Sequence, residues 1–290
     1  MRRIIALALF AVACGSITVQ AHTISLAYKS GDVYKYALHA ALDYTIGAQA
    51  ISMPVTVDLT GKETVTVKSV DADGSANLSI ALTDTTLKTT NQGTTTTTTG
   101  TAVPAIEMKV GPDGRVISVN NSQLGGLSAL GGTEAGFITA VLPDATVKPG
   151  DTWTKNYDQA GPSGSGSVHV TTTSKYQRDE QLSGVNAAVI ATNIADAVDV
   201  TLDFSALLGG LRSSVPPTGG DSVTGTSLII KGTATSAVTS WIDPGAHRVM
   251  KTHATGKSEG TMTISSAPGS TGLLGPLTFK GTQTLDMNPA

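Results

Sequence analysis

The sequence predicts a mainly β fold: a curved antiparallel sheet or half-open barrel with short helices, internally duplicated. Many short stretches alternate apolar and polar residues, which is typical of strands with one buried face and one wet face. Gly, Pro, Asn and Asp stand between these stretches, where turns need them. An opening of the form Gly-Asp-x-aromatic occurs at residues 31–34 and again at residues 150–153, which indicates that the order of elements repeats.

The N-terminal residues form the pattern of a secretory signal peptide. Arg2 and Arg3 give a positive start, residues 4–13 are apolar, and residues 19–21 (Val-Gln-Ala) supply small residues for cleavage. The apolar run is shorter than the roughly 20 residues that span a bilayer. We therefore expect residues 1–21 to be a signal peptide and the mature protein to be exported, to the periplasm or the extracellular space.

Cys14 is the only cysteine, and it leaves a second processing route open. Residues 11–16 resemble a bacterial lipobox, in which the cysteine is lipidated and becomes the mature N-terminus. Cleavage after Ala21 is the preferred alternative, and it leaves no cysteine for disulfide or thiol chemistry. The sequence predicts contact with a membrane only through a lipidated Cys14.

The composition fits an exported β protein. Hydrophobic residues make up 40% of the 290 residues but aromatic residues only 4%, so Val, Ile, Leu and Ala must build the core. Charged residues make up 14%, against about 25% in an average soluble domain. The net charge of −3 falls to −5 when Arg2 and Arg3 are removed, and mild acidity without a basic cluster predicts no nucleic-acid partner.

Residues 22–142 are predicted to form a first β module. Its first strand region spans residues 28–44, and two hairpins follow, with turns at residues 71–74 and 111–114. The second turn, Gly-Pro-Asp-Gly, combines residues that strongly favour turns. The threonine run at residues 94–99 would be an exposed ribbon or a loop, and we favour the loop because it has no apolar residue to bury.

Short helices are predicted at residues 124–141 and 202–211. Apolar residues recur there at helical spacing, and the first segment ends before Pro143, as helices tend to do before proline. In a barrel these two segments would act as lids over an apolar mouth.

Residues 143–290 are predicted to repeat the first module. A hairpin at residues 237–252 has a turn with Asp, Pro and Gly, in the place that the Gly-Pro-Asp-Gly turn occupies earlier. Asp32 and Asp151 are predicted to share one role, capping a turn where the chain enters the sheet. The alternative is that a simple β meander yields such matches without a duplication.

Two stretches carry a resemblance to known proteins. Residues 142–153 contain Leu-Pro and Val-Lys-Pro-Gly-Asp-Thr-Trp, and residues 241–249 contain Trp-Ile-Asp-Pro and Arg-Val. With them the chain resembles a group of uncharacterised secreted or lipid-anchored bacterial β proteins, similar in build to the lipoprotein-carrier superfamily (LolA-like and LppX-like). The resemblance implies a half-open barrel, closed by short helices, that binds acyl chains in its apolar hollow. It assigns no binding residue.

The sequence contains no catalytic or metal-binding motif that we can identify. The histidines lack His-x-x-x-His and His-Glu-x-x-His spacing, and no serine stands in Gly-x-Ser-x-Gly. His247, His253 and Glu259 are the one weak candidate for a metal site. We therefore predict that the protein is not an enzyme and uses no cofactor and no metal.

The predicted function is to bind an apolar or lipid-like ligand, because small ligands usually bind in apolar mouths. Leu127 and Phe137 would contact this ligand from the first lid. Trp153 and Trp241, like Tyr34, would either line the hollow or anchor the core with their large apolar side chains. The alternative is a cell-surface or envelope module for structure or interaction, without a small-molecule ligand.

Overall fold

The structure, a computed structural model, describes residues 21–48, 51–100, 103–120, 139–160, 166–203, 227–265 and 276–290. Within these residues the alternating stretches form strands that are longer than the sequence pattern indicates. The twelve strands are β1 (Val33–Ala48), β2 (Ile51–Val70), β3 (Ala76–Asn91), β4 (Thr94–Thr99), β5 (Val103–Val110), β6 (Val116–Asn120), β7 (Thr152–Ala160), β8 (Gly166–Leu182), β9 (Val185–Asp203), β10 (Ser227–Asp243), β11 (Arg248–Ser265) and β12 (Leu277–Pro289).

All of these strands belong to one antiparallel sheet. Its order is β6-β5-β3-β2-β1-β12-β11-β10-β9-β8-β7, and β4 pairs with β3 beside this path. The pairing of β1 with β12, from Tyr36↔Pro289 to Gly47↔Thr278, joins the two halves of the chain. The sheet curves into a nearly closed barrel whose two edges, β6 and β7, approach each other. The mainly β prediction is therefore confirmed.

Alternation along each strand defines an inner and an outer face. In β10 the even-numbered residues Ile230, Ala234 and Val238 are buried, whereas Thr233 and Thr235 between them are exposed. Successive side chains of a strand point to opposite faces, so the even positions of β10 line the inside of the barrel. The same alternation, together with the strand register, defines the inner face of the other strands.

The barrel has two different ends, which we call the base and the rim. Tight turns connect strands at the base, among them the turns between β2 and β3 and between β10 and β11. The rim is the opposite end, where β1, β7, β9 and β11 finish. Residues 49–50, 121–138, 161–165, 204–226 and 266–275, which follow β1, β6, β7, β9 and β11 in the sequence, lie outside the described residues.

The protein's own chain fills the base. Residues 139–142 are fully buried, as are Ile24 and Leu26 to within 3% of their surface. The Ala140 N–H donates to the Ser240 hydroxyl oxygen at 2.8 Å, and the Val141 carbonyl accepts from the Ser174 hydroxyl at 2.9 Å. Both serines lie on the inner face, so this segment lies inside the barrel.

The two Gly-Asp turns make the same backbone hydrogen bonds. The Gly31 N–H donates to the Val67 carbonyl, and the Val67 N–H donates to the Asp32 carbonyl. Gly150, Tyr176 and Asp151 repeat this pattern. Both glycines have positive φ, 90° and 101°, which glycine adopts without strain. The backbone of each turn therefore enters the sheet in the same way. The side chains differ, because the Asp151 carboxylate accepts from the Lys148 N–H at 2.9 Å, whereas the Asp32 carboxylate accepts from the Tyr34 hydroxyl at 3.0 Å. The shared capping role is thus seen at Asp151 only, and the module boundary at residue 142 and the duplication stay predictions.

Two aromatic side chains cover glycines near the rim. Phe279 lies opposite Gly260, and Tyr44 lies opposite Gly281. A Cβ on Gly281 would come within 2.5 Å of the Tyr44 ring, and one on Gly260 within 2.8 Å of the Phe279 ring. The glycines thus leave room for the rings on the inner face, an arrangement that stabilises strand glycines.

Two sequence predictions about local structure are not confirmed. The loop favoured for residues 94–99 is wrong, because Thr94–Thr99 forms β4, paired with β3 and exposed along its whole length. Threonine favours extended backbone, so backbone pairing suffices there. The described residues contain no helix, and residues 202–203 belong to β9. Most of the two predicted helical segments lies outside the described residues. Nor do the described residues offer a helix long and apolar enough to cross a membrane.

Candidate ligand-binding site

A second apolar cluster lies on the inner face near the rim, and the partly buried Val168 packs against both this cluster and the core at the base. Strands from both ends of the chain contribute to it, because β1 pairs with β12. We call it the rim cluster, and its buried members are Tyr44, Val198, Val200, Leu228, Ile230, Met262 and Phe279. Inner-face apolar surface at the mouth of a barrel is where small ligands usually bind.

Asp196 lies between the rim cluster and the base core. It follows Ile194, which belongs to the base core, and precedes Val198, which belongs to the rim cluster. All three are at even, inner-face positions of β9. Only 4% of the Asp196 surface is exposed, and within the described part of the chain neither carboxyl oxygen has a hydrogen-bond partner.

Tyr157 lies in the same inner row as Asp196. Its backbone partner across the sheet is Val170, and Val170 is in turn the partner of Asp196. The two Cα atoms are therefore roughly 9.6 Å apart, twice the spacing of neighbouring strands. The buried Tyr157 hydroxyl also has no hydrogen-bond partner among the described residues.

Burial raises the pKa of several groups inside the barrel, among them Asp196, Glu63 and Tyr157. It raises the pKa of Asp196 to about 8, because water no longer stabilises the charged carboxylate. It raises the pKa of Glu63, a buried inner-face residue of β2, to about 7 for the same reason. The pKa of Tyr157 is also raised, chiefly by burial and then by Asp196.

Several other polar groups on the inner face have partners. The Tyr36 hydroxyl donates to the Val249 carbonyl at 2.8 Å. The hydroxyl oxygens of Tyr44 and Ser258 are 2.9 Å apart, and those of Ser174 and Thr192 are 2.8 Å apart. Buried polar groups are normally satisfied in this way, so Asp196 and Tyr157 need an explanation.

An ion-pair network connects the two edges of the sheet beside Tyr157. Lys155 of β7 places its Nζ 2.8 Å from Asp113 Oδ2, in the turn between β5 and β6, and 2.7 Å from Asp144 Oδ1. Arg115 also pairs with Asp113 and lies over the Tyr157 ring, 5.1 Å from its centroid. Burial alone would raise the pKa of Asp113, but the hydrogen bond and charge of Lys155 lower it overall.

The two predicted tryptophans lie on opposite faces of the sheet. Trp153 is on the inner face, packs against the base core, and donates from Nε1 to the Val141 carbonyl at 3.0 Å. Trp241 is at an odd position of β10 and therefore on the outer face, with the Lys251 ammonium 4.8 Å from its ring centroid. Trp241 is thus not a core anchor, whereas Trp153 and the partly buried Tyr34 both contact the base core.

The other two predicted ligand contacts, Leu127 and Phe137, lie outside the described residues, as does most of the predicted lids. The weak metal candidate does not assemble. His253 Nδ1 is 2.7 Å from Asp286, whereas His247 Nδ1 is 3.2 Å from the Ser25 carbonyl. In the part of the chain that the structure describes, no three His, Cys, Asp or Glu residues are grouped to hold a metal ion.

Threonine-lined grooves lie on the outer face, where the sheet bends. One, of about 620 Å³, crosses β8 to β12 and includes Thr171, Thr235 and Thr282. Another, of about 860 Å³, lies nearer the rim and is lined by Thr233, Thr261 and neighbouring residues. Charged side chains also line these grooves: Lys257 lies in the first, and the ion pair of Lys280 with Glu259 lies in the second.

Sequence reasoning missed Asp196, although the signal was present. Ile194, Val198 and Val200 are buried apolar residues at alternate positions of β9. Asp196 occupies one of the same alternate positions. A carboxyl at a core position is unusual unless it is paired. Tyr157 could be placed beside it only once the register between β7, β8 and β9 was known.

Comparisons with known proteins identify no family. No family model matches the sequence, and no curated protein matches it significantly. Among solved structures, one describing lipid–protein interactions in lipovitellin is similar over 91% of this chain and 26% of the lipovitellin chain, with 11% identity and a TM-score of 0.43. DynF from the dynemicin biosynthesis pathway of Micromonospora chersina is similar over 100% of this chain and 92% of its own, with 9% identity and a TM-score of 0.21.

This chain thus spans about a quarter of the lipovitellin chain. Likenesses at these scores assign neither a family nor a function. The LolA-like and LppX-like resemblance stays a hypothesis.

Proposed function

We propose that the chain is an exported, non-enzymatic binding protein that holds an apolar or lipid-like ligand against the inner face of its sheet. The apolar part of the ligand lies against the rim cluster, as the resemblance to lipoprotein carriers also implies. The base does not take the ligand, because residues 139–142, Ile24 and Leu26 already fill it.

The observation that carries this proposal is the division of the inner face into two apolar clusters. A core that served stability alone would gain from continuing without a break, since a buried carboxyl without a partner costs free energy. Along β9, Asp196 interrupts it between Ile194 and Val198, and only the partly buried Val168 of β8 packs against both clusters in the described residues. This interruption is compatible with a ligand that supplies both an apolar surface and a polar group.

The test is the binding of a neutral apolar reporter, N-phenyl-1-naphthylamine, followed by fluorescence and by displacement with dodecanol. Met262→Gln introduces an amide of similar size into the rim cluster, so we expect reporter affinity to fall about tenfold, the effect of desolvating an amide without a partner. Thr261→Gln is the matched control, because Thr261 is exposed on the outer face of the same strand.

Thermal unfolding of both variants separates binding from folding. If the reporter binds Met262→Gln as tightly as it binds the unaltered protein, while the variant melts earlier, the rim cluster is only a folding core. Absence of reporter binding to the unaltered protein also rejects the proposal.

The alternative, a cell-surface or envelope module for structure or interaction without a small-molecule ligand, is favoured by the outer face. Thr94–Thr99 in β4 is fully exposed, and the two outer grooves are lined by threonine. Such a surface would offer hydrogen-bonding hydroxyls to a partner. Reporter binding that is insensitive to Met262→Gln, together with a bare protein from its native source, would favour this alternative.

A further inference from the structure

The Asp196 carboxyl and the Tyr157 hydroxyl make no polar contact that would stabilise the barrel, although the Tyr157 ring packs against the base core and under Arg115. Both side chains point into the barrel, and in the described residues neither makes a hydrogen bond. Three buried acceptor or donor atoms, the two Asp196 oxygens and the Tyr157 hydroxyl, therefore face the same interior region. Ser258, in the same inner row, makes its contact with Tyr44 instead.

The cations nearest this row are already engaged. Lys155 precedes Tyr157 by one inner position of β7, but it is held by Asp113 and Asp144. Arg115 pairs with Asp113 and covers the Tyr157 ring. The inner-face neighbours of Asp196 on either side, Val170 and Ala234, are apolar. Asp196 therefore stays protonated unless a positive charge from outside the described residues pairs with its carboxylate.

We propose that Asp196 and Tyr157 form a subsite for the ammonium group of a cationic amphiphile whose apolar chain lies against the rim cluster. This inference rests on the proposed function and names its ligand class. An ammonium group carries three donors and a positive charge, so it can bind both Asp196 oxygens and the Tyr157 oxygen together.

The position of Asp196 fits such a ligand. Val198 and Val200 follow it on the inner face at intervals of roughly 6.6 Å, the rise of two strand residues. A head group bound at Asp196 would therefore place the first carbons of its chain beside Val198 and Ile230 of the rim cluster. When Asp196 is ionised, a hydroxyl head group would leave its charge unpaired, and a carboxylate head group would be repelled by it.

The test compares three probes with the same twelve-carbon chain below their micellar concentrations: dodecylamine, dodecanol and dodecanoate. The affinity of each probe is measured by its ability to displace N-phenyl-1-naphthylamine from the protein at pH 8. We expect dodecylamine to bind at least tenfold more tightly than either of the others. Asp196→Asn should reduce this preference to less than threefold, and Tyr157→Phe should reduce it partly.

Asp199→Asn is the matched control. Asp199 lies three residues further along β9, is exposed on the outer face, and pairs with Lys231 at 2.9 Å. The preference for dodecylamine should survive this substitution. A loss in Asp199→Asn equal to that in Asp196→Asn would mean that a general surface charge is responsible, and would overturn the subsite.

The outcomes separate the subsite from the proposed function. If all three probes bind equally and Asp196→Asn changes nothing, the protein binds apolar chains but the ammonium subsite is wrong. If no probe displaces the reporter and the reporter itself does not bind, the proposed function fails and the subsite fails with it. Asp196→Asn keeps the size of the side chain and removes a buried carboxyl, so we expect it to fold.

Discussion

The sheet buries the side chain of Asp196, although the charged form of a carboxyl group is normally stabilised by water. Alternation along β9 turns its side chain inward, where only 4% of its surface remains exposed. A buried carboxyl either finds a partner or stays protonated. Burial therefore raises the pKa of Asp196 to about 8. Burial also raises the pKa of Glu63, to about 7.

These two carboxyls predict that stability falls as pH rises. An unfolded Asp or Glu releases its proton near pH 4, whereas the folded groups hold theirs until about pH 8 and pH 7. Between those values the folded protein binds more protons, so each pH unit costs about 1.4 kcal/mol for each such group. We expect the melting temperature to decrease from pH 5 to pH 8.

Asp196→Asn should remove the Asp196 share of this pH dependence and leave that of Glu63, whereas Asp199→Asn should keep both. Calorimetric melting at several pH values measures both. An Asp196→Asn protein whose melting temperature falls as steeply as that of the unaltered chain would show that Asp196 is ionised and paired in the folded state.

The position of Asp196 was available from the sequence, but its environment was not. Ile194 and Val198 alone indicate which positions of this strand face the core. Which residues face Asp196 depends on strand register across β7 to β10, and a shift of one residue would turn every side chain to the other face. Trp241 is a second example. Its large apolar side chain predicted a buried position, whereas the strand register places it on the outer face.

Side chains connect the two edges of the sheet, β6 and β7, where backbone pairing stops. No backbone pairing between β6 and β7 is present in the described residues, and Lys155 instead connects β7 to Asp113 and Asp144. The Lys155 and Asp113 side chains are only 11% and 10% exposed. A pair so little exposed behaves more like a buried ion pair than like a surface one.

Lys155→Met should therefore lower the free energy of unfolding by about 3 kcal/mol, because it leaves the Asp113 carboxylate buried without its main cation. Lys231→Met is the matched control: its pair with Asp199 is exposed, and exposed pairs contribute little. Urea unfolding followed by tryptophan fluorescence measures both variants. Equal, small effects would show that the network does not hold the sheet edges.

The sequence predicted the outline of these elements better than their lengths. Turns with Asp, Gly and Pro were placed correctly at residues 71–74, 111–114 and 243–245. Strand ends were missed because period-two alternation fades where both faces are polar. The hairpin predicted at residues 237–252 covers only the first part of β11, which runs unbroken from Arg248 to Ser265 because backbone pairing with β10 and β12 continues through its glycines.

The whole molecule is a single sheet whose first and last strands pair, closed at the base by its own chain. The β1–β12 pairing sets strands from the beginning and end of the chain side by side beneath the rim cluster. No short-range sequence pattern could predict this, because the partners are more than 200 residues apart. The resemblance to half-open carrier barrels anticipated the curved sheet but not how nearly it closes.

Native mass spectrometry of the protein purified from the envelope of its own host tests the central claim most directly. We predict one bound amphiphile for each chain, released on denaturation, with an amine in its head group and an apolar chain. The same spectrum shows whether the chain begins at His22 or at a lipidated Cys14. A protein of bare mass under gentle ionisation, with no apolar molecule in its extract, would contradict the binding function.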